Sequence, residues 1–175
     1  MAITRIGGAN AITGTIPQGN IANASLGAVT ALPAAIPTGK VLQTVTATST
    51  SSTATTSTSF VVTNLTLNIT PSATSSKIYV VACSGFYNAS ETGDQGAATI
   101  YRDSTNLGST GGMVNTFGTD KRIIFPTTVC VLDSPSSTSQ IAYAVYIRSY
   151  SGASQTLNGQ GEEGQIIAME IAGWL

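Results

Sequence analysis

An alternation of large apolar side chains with small or amphipathic ones over positions 141–148 limits most strongly what this chain can fold into. Its apolar positions share one side of an extended strand: they are Ile141, Tyr143, Val145 and Ile147. A period of two with β-branched and aromatic residues is typical of a half-buried β-strand. The short apolar run 129–132 precedes it, and the turn-forming sequence 133–136 separates the two. We therefore predict two neighbouring antiparallel strands in one sheet.

Similar strand signals recur along the chain at spacings of roughly 8–15 residues, with turn-forming residues between them. They cover residues 41–48, 60–70, 77–87, 96–103, 122–125, 154–158 and 164–172. Segment 77–87 is apolar on both sides, which predicts a central strand, and we also place the last segment inside a sheet. About eight strands without a long helix predict an all-β protein, an antiparallel sandwich with jelly-roll connectivity.

Three stretches fit the strand pattern less well. The Ser/Thr-rich run 48–59 fits either a flexible loop or an exposed edge strand. Residues 104–121 are rich in Gly and Asn and are typical of a loop. Pro126 follows the apolar residues 123–125, which predicts either a strand broken by a bulge or an edge position.

Residues 1–40 differ from the rest because glycines and prolines divide them into short apolar pieces. Two similar Ile-Pro-X-Gly segments, 16–19 and 36–39, hold the chain extended and then turn it. Between them, residues 23–32 would form one short helix. Such a segment cannot bury its aliphatic side chains alone and is too apolar for a disordered tail. We predict an arm or stem that orders through assembly, followed by a knob domain at 41–175.

Charge is scarce in this sequence. Charged residues make up 9% of the chain and the net charge is −1, which gives no electrostatic footprint for nucleic acid or an anionic membrane. No apolar run is long enough to span a bilayer, and the N-terminus lacks the apolar core of a secretory signal. So little charge predicts a surface covered by copies of the chain or by a partner. The alternative is a surface kept soluble by Ser, Thr, Asn and Gln.

The residue types needed for catalysis are sparse. The sequence contains no histidine, which removes the commonest general base near neutral pH and the commonest metal ligand. The acidic residues Glu162 and Glu163, and likewise Glu91 and Asp94, fit solvated turns better than a glycosidase pair or a calcium site. The segment 101–103 fits a strand end whose Arg–Asp pair caps a turn. We expect no catalytic, cofactor-binding or metal-binding residues.

The two cysteines occupy strand-like positions. Cys83 and Cys130 each lie in an apolar run. Free cysteine behaves as a small hydrophobic residue, so both are predicted to be buried. One disulfide between neighbouring strands is the alternative.

The second side of the 141–148 strand is small or amphipathic where a monomer would show charge. Together with Tyr79 it forms our predicted contact between subunits. The predicted interface residues are Tyr79, Ala142, Ala144, Tyr146 and Arg148. In an oligomer, Arg148 would pair across the axis with Asp133 or Glu170 of a neighbouring subunit.

Five short motifs occur in a fixed order along the chain. They read VLQTV at 41–45, ITPSATSSKIYV at 69–80, YRDST at 101–105, LDSPSST at 132–138 and IAMEIA at 167–172. In this order they resemble the C-terminal knob module of tail-fibre and other virion surface proteins of tailed bacteriophages. The segment TGTIPQGNI at 13–21 is similar to the connectors that precede such modules. The resemblance implies a β-rich homotrimeric knob on the virion exterior, without shared catalytic residues.

From this resemblance we predict a non-enzymatic structural protein of the virion surface, a homotrimeric fibre or spike. Its arm would dock on other virion proteins, and loops 88–95, 104–121 and 158–164 would meet a host receptor or glycan. A capsid cement (decoration) protein is the alternative, and a polysaccharide-cleaving spike is the remote one. The predicted virion-docking residues are aliphatic residues of the arm: Ile12, Ile16, Ile21, Leu26, Val29, Leu32 and Ile36.

Overall fold

The computed structural model describes residues 40–88, 93–118 and 123–173, and every regular element in these ranges is a β-strand. The strands are β1 (Val41–Ser49), β2 (Thr53–Thr55), β3 (Val61–Ile69), β4 (Lys77–Asn88), β5 (Gln95–Arg102), β6 (Thr105–Asn106), β7 (Val114–Phe117), β8 (Ile124–Asp133), β9 (Ile141–Ser149), β10 (Gln155–Leu157) and β11 (Gly164–Ile171). Within these ranges no helix has the length and apolar character needed to cross a membrane.

The strands form two antiparallel sheets. In sheet A, β11 and β10 lie end to end along one edge of β4, and β8 pairs along the other edge. Beyond them, β1 pairs with β11 and β2 pairs with β10. In sheet B the order is β3-β9-β5, and both β6 and β7 pair with the outer edge of β5. Strand β4 is thus central, as its sequence predicts.

One hydrophobic core lies between the two sheets, because alternate residues of each strand turn toward the other sheet. Its largest fully buried side chains include Phe86, Leu65, Ile78, Ile100 and Ile147. Each buried aliphatic or phenyl side chain of this size stabilises the fold by about 1.5–3 kcal/mol. The described chain is therefore an all-β protein with its sheets packed as a sandwich. The inward-facing positions predicted for β9 are confirmed, since Ile141, Tyr143, Val145 and Ile147 are all buried.

The prediction that β8 and β9 are neighbours in one sheet is wrong. Strand β8 pairs with β4 in sheet A, whereas β9 pairs with β3 and β5 in sheet B. Residues 134–140 carry the chain from one sheet to the other. The period of two defines which side chains are buried, but it does not define which strand lies alongside.

Two further segments resolve alternatives that the sequence left open, and a third differs from its prediction. Strand β8 continues through Pro126 without a break, and Pro126 is tolerated because β8 is an edge strand. Within the Ser/Thr-rich run, only Thr53–Thr55 form the short edge strand β2, and residues 48 and 49 complete β1. The expected loop at 104–121 contains the strands β6 and β7. A strand of only four residues, such as β7, is too short for its alternation to stand out in the sequence.

The predictions for the arm lie outside the described residues. These are the short helix at 23–32 and the seven aliphatic docking residues between positions 12 and 36. The described residues begin at Lys40, whose carbonyl oxygen accepts a hydrogen bond from the Ala172 amide at 2.9 Å.

Asn158 fixes the turn that follows β10. Its backbone has φ +56°, in the left-handed region that asparagine tolerates better than most residues. Its side-chain amide donates to the Ser49 carbonyl oxygen at 2.9 Å, and its side-chain oxygen accepts a hydrogen bond from the Ser84 hydroxyl. Asn158 is buried and therefore joins β1, β4 and the turn at one point.

Replacing Asn158 with alanine is expected to lower the free energy of unfolding by about 2 kcal/mol. The variant loses two partly buried hydrogen bonds and the side chain that tolerates a positive φ. Urea denaturation followed by circular dichroism measures the change. Asn68→Ala, at an exposed position of β3, serves as the control. A loss no larger than that of the control would contradict the structural role of Asn158.

Candidate functional site

The outer side of sheet A, which we call face A, is uncharged across its centre. Its residues are those of β1, β11, β4 and β8 whose side chains alternate away from the core. Across the centre they are Thr44, Thr46, Thr48, Gln165, Ile167, Met169, Tyr79, Val81, Cys83, Thr128, Cys130 and Leu132, and the same phase of β4 begins with Lys77 at the edge of this area. A sheet face made of these residue types would be stable against another uncharged surface.

The middle of face A is continuously apolar because its strands are in register. Tyr79 lies opposite Met169 on one side and Leu132 on the other. In the next row, Val81 lies opposite Ile167 and Cys130. Directly opposite side chains in a sheet lie about 5 Å apart, so these six residues form one patch.

Both cysteines lie on face A, are exposed, and are not bridged to each other. The prediction that they are buried is therefore wrong for the described chain. Cys83 alternates with the buried residues Val80 and Ala82, which places it on the outer side. A hydrogen bond to Cys130 raises the pKa of the Tyr79 hydroxyl. Because both thiols lie on face A, their reactivity toward a thiol reagent measures whether this face is open to solvent.

A groove of about 370 Å³ lies at the β4 end of face A, beside Gly85, Glu162 and Glu163. The Glu162 side chain lies over Gly85. A Cβ atom added to Gly85 would come within 2.6 Å of Glu162 Oε1. The Tyr87 hydroxyl donates to Glu162 Oε1, and the Gln160 amide donates to Oε2 at 2.8 Å. Glu163 is exposed, as expected for a solvated turn, whereas Glu162 holds the turn against β4.

The outer side of sheet B, which we call face B, carries an aromatic cluster around Arg148. Tyr101 and Tyr146 stack with ring centroids 3.9 Å apart. The guanidinium carbon of Arg148 lies 4.8 Å from the Phe60 ring centroid and 4.1 Å from that of Tyr150. Cation–π contacts of this kind are worth about 0.5–1 kcal/mol at exposed sites and more when water is excluded. Arg148 is thus engaged within its own chain.

A loop at 108–112 covers part of face B. The Tyr150 hydroxyl donates to the Gly111 carbonyl oxygen at 2.7 Å. A Cβ atom on Gly112 would lie 3.1 Å from the Ala97 Cβ and 3.4 Å from the Phe60 ring. Ala97 points outward opposite Arg148 yet is fully buried. The part of this outer side around Ala97 is therefore packed against the chain itself.

The predicted interface residues do not form one patch. Tyr79 lies on face A, whereas Ala142, Ala144, Tyr146 and Arg148 lie on face B. Ala144 is buried within the chain, and Tyr146 is half-buried by its contact with Tyr101. Their role in subunit contact stays a prediction.

Asp133 is a buried carboxylate held by residues of its own chain. Arg102 Nη1 donates to its two oxygens at 2.8 and 3.0 Å, and the Tyr143 hydroxyl donates to Oδ2 at 2.6 Å. Burial, with the hydrogen bond to Asp133, raises the pKa of Tyr143 above its ordinary range. The predicted Arg–Asp pair within 101–103 is thus wrong, because Arg102 pairs with Asp133. Asp103 instead caps the turn by accepting the Ala142 amide at 3.0 Å.

Glu170 is fully buried at the edge of the core. Its Oε1 accepts hydrogen bonds from the Ser72 amide at 2.7 Å and from the Ser72 and Ser76 hydroxyls at 2.6 Å each. Gln43 donates to Oε2 at 2.6 Å. Burial alone would raise the pKa of Glu170, but the hydrogen bonds from Ser72, Ser76 and Gln43 outweigh it and lower the pKa. The Glu170 carboxylate is therefore ionised, and both of its oxygens accept hydrogen bonds inside the fold.

The predicted pairing of Arg148 with Asp133 or Glu170 of a neighbouring subunit stays a prediction, although neither carboxylate is exposed in the described chain. Both carboxylates are buried and already paired within the chain. A signal for Glu170 was present in the sequence, since it alternates in phase with the buried Ile166 and Ala168. The sequence did not predict the hydrogen-bond networks around the buried carboxylates of Asp133 and Glu170.

Other acidic residues also serve the fold. Asp94 is buried, its backbone carbonyl accepts the Asn88 side-chain amide at 3.1 Å, and its carboxylate accepts the Ser151 hydroxyl at 3.3 Å. Glu91, its predicted companion, lies outside the described residues. In the part of the chain that the structure describes, no three His, Cys, Asp or Glu side chains group in a way that suits a metal ion.

Comparison with known proteins identifies no family for this chain. No protein-family model matches the chain, and none of the curated proteins is significantly similar to it in sequence.

Proposed function

We propose that the chain is a non-enzymatic structural protein of a bacteriophage virion, a homotrimeric surface spike or fibre. One observation carries the structural part of this proposal: the buried carboxylates Asp133 and Glu170 are saturated by partners that join separate strands. A catalytic carboxylate needs a free face toward a substrate. These groups instead stabilise the sandwich, as expected for a scaffold that functions through its surfaces.

We further propose that the sandwich is a jelly roll. The principal strands order as β1-β11-β4-β8 in sheet A and β3-β9-β5-β7 in sheet B. Along the chain, most successive principal strands lie in opposite sheets. Two interleaved Greek keys produce this connectivity. Such a frame holds its end loops rigidly, which suits a knob that meets another surface.

The arm, residues 1–40, docks on other virion proteins in this proposal, and the knob points outward toward a host receptor or glycan. The order of the five motifs, from VLQTV at 41–45 to IAMEIA at 167–172, supports the assignment to the virion surface. The scarcity of charge, 9% of residues, supports assembly with further copies.

Quantifying the protein in purified particles, together with adsorption by particles that lack it, tests this function. A spike or fibre gives tens of copies per particle, and particles without it fail to adsorb to the host. Hundreds of copies, with normal adsorption and a less stable head, would instead identify a capsid cement protein. Absence of the chain from purified particles would refute the virion assignment altogether.

A further inference from the structure

We propose that the aromatic cluster around Arg148 on face B binds an acidic sugar, that is, a sugar whose ring carries a carboxylate. Arg148 pairs with the carboxylate, and the Tyr150 ring packs against the apolar side of the sugar ring. The inference rests on the proposed function, a knob that meets a host receptor or glycan, and names the chemical class of that glycan. It gives Arg148 a role other than the subunit contact that the sequence predicts.

Arg148 is held firmly by the chain but has no anionic partner there. Its guanidinium carbon lies 4.8 Å from the Phe60 ring centroid and 4.1 Å from that of Tyr150. Its Nε is buried without a hydrogen-bond partner, and the salt bridge in the described ranges joins Arg102 to Asp133 instead. Stacking on aromatic rings uses none of the five N–H donors of a guanidinium. The Nη groups of this half-buried side chain can therefore donate to an acceptor from outside the chain.

The charge on this side of the sheet favours an anion. Arg148, near the end of β9, is the one charged side chain among the outward-facing residues of β3, β9 and β5. A planar guanidinium binds a carboxylate through two parallel hydrogen bonds, which adds specificity to the charge attraction. Because Phe60 and Tyr150 already flank the guanidinium, it loses little freedom on binding. The geometry thus suits a carboxylate.

The groups beside Arg148 suit a sugar rather than a peptide acid. Tyr150 is 39% exposed although Arg148 lies over its ring, and its hydroxyl fixes the ring by donating to the Gly111 carbonyl oxygen at 2.7 Å. The exposed Asn115 side chain lies next to Tyr150. Oriented so that its nitrogen meets acceptors, Asn115 donates to the carbonyl oxygens of Gly111 at 2.8 Å and Val114 at 3.1 Å. Its side-chain oxygen can then accept a hydrogen bond from a sugar hydroxyl.

Titration of the full chain with matched oligosaccharides tests the inference. One probe alternates glucuronic acid with N-acetylglucosamine, a second ends in N-acetylneuraminic acid, and each is compared with its neutral, carboxyl-reduced form. Calorimetry or ligand-observed NMR at low salt measures the affinity. We expect at least one acidic probe to bind about tenfold more tightly than its reduced form, as a charge-assisted hydrogen bond would give. Added salt should shrink the difference.

A matched pair of variants assigns the carboxylate contact to Arg148. Arg148→Gln and Lys77→Gln each remove one positive charge from a half-buried position, and Lys77 lies on face A. Arg148→Gln should bind the acidic probe about tenfold more weakly, whereas Lys77→Gln should stay within about twofold of the wild type. Tyr150→Leu should weaken binding about fivefold, and Tyr150→Phe, which keeps the ring, less than about twofold. Circular dichroism confirms that each variant is folded.

Three results would overturn the inference. They are an absence of binding by both acidic probes, equal binding of the acidic and reduced forms, and equal losses in Arg148→Gln and Lys77→Gln. Hexaglutamate that binds as tightly as the acidic sugar, through Arg148, would identify an acidic protein segment as the ligand and refute the sugar. None of these results touches the virion assignment, which the composition of purified particles tests separately.

Discussion

Replacing Asp133 with alanine is expected to lower the free energy of unfolding by about 3 kcal/mol, because a buried ion pair loses one partner. The variant leaves the Arg102 guanidinium without a carboxylate. It also leaves the fully buried Tyr143 hydroxyl without its acceptor at 2.6 Å. The Arg102 side chain is 26% exposed, so water compensates part of the loss and the effect stays at the lower end of the usual range.

Urea denaturation at a fixed protein concentration measures this loss, since the stability of an oligomer depends on concentration. Tyr143→Phe is the matched comparison. It removes only the hydroxyl and keeps the Arg102–Asp133 pair, so it should cost about 1 kcal/mol. Glu163→Gln, at an exposed carboxylate, should change stability by less than about 0.5 kcal/mol. If Asp133→Ala were as stable as Glu163→Gln, the buried network would not support the fold.

Replacing Glu170 with alanine should have an effect of similar size, about 3 kcal/mol, since buried donors lose a charged acceptor. Glu170 joins three parts of the chain: the edge strand β1 through Gln43, the turn through Ser72 and Ser76, and its own strand β11. The first strand of the domain is therefore tied to the last through this carboxylate.

Glu170 also predicts how stability depends on pH. Its pKa in the fold is lowered from the ordinary glutamate value of about 4.3. The unfolded chain therefore binds the proton more readily than the folded chain in mildly acidic solution. The contribution of Glu170 is fully present above the unfolded pKa and is lost as the pH falls through the lower, folded pKa.

Glu170→Gln tests this dependence with little change in shape. At neutral pH the variant should be less stable than the wild type, and the difference should shrink as the solution is made more acidic than about pH 4. Unfolding free energies of both proteins, measured across the acidic range, give the comparison. A difference that stays constant with pH would show that the ionised carboxylate is not the stabilising form.

Much of the sandwich could be predicted from its sequence because burial follows a simple period. Strands β3, β9 and β11 alternate clearly, and their buried residues are those of one phase. The pairing of strands could not be predicted in the same way. Residues 134–140 look like any turn-rich connection, and nothing local shows that they lead from one sheet to the other.

The candidate site was less predictable for a related reason. The strand 77–87 is apolar on both sides, which indicates that both of its faces are buried. The described domain buries only the side with Ile78, Val80 and Ala82, and leaves Cys83 exposed. Tyr79 and Val81 on the second side are only partly buried in the described chain, so the pattern identified the strand as central but did not show which of its sides the chain itself buries.

The buried carboxylates show a second limit of prediction from sequence. Glu170 stands in the inward phase of β11, yet a charged residue there gives no indication of which donors will meet it. Its partners are separated from it by 94 to 127 positions in the chain. Only the fold brings them together.

The mass of the full chain in solution tests the central claim, the proposed homotrimer, most directly. The proposed homotrimer predicts three times the chain mass of 17.8 kDa. A mass of one chain at the concentrations found in assembling particles would contradict it.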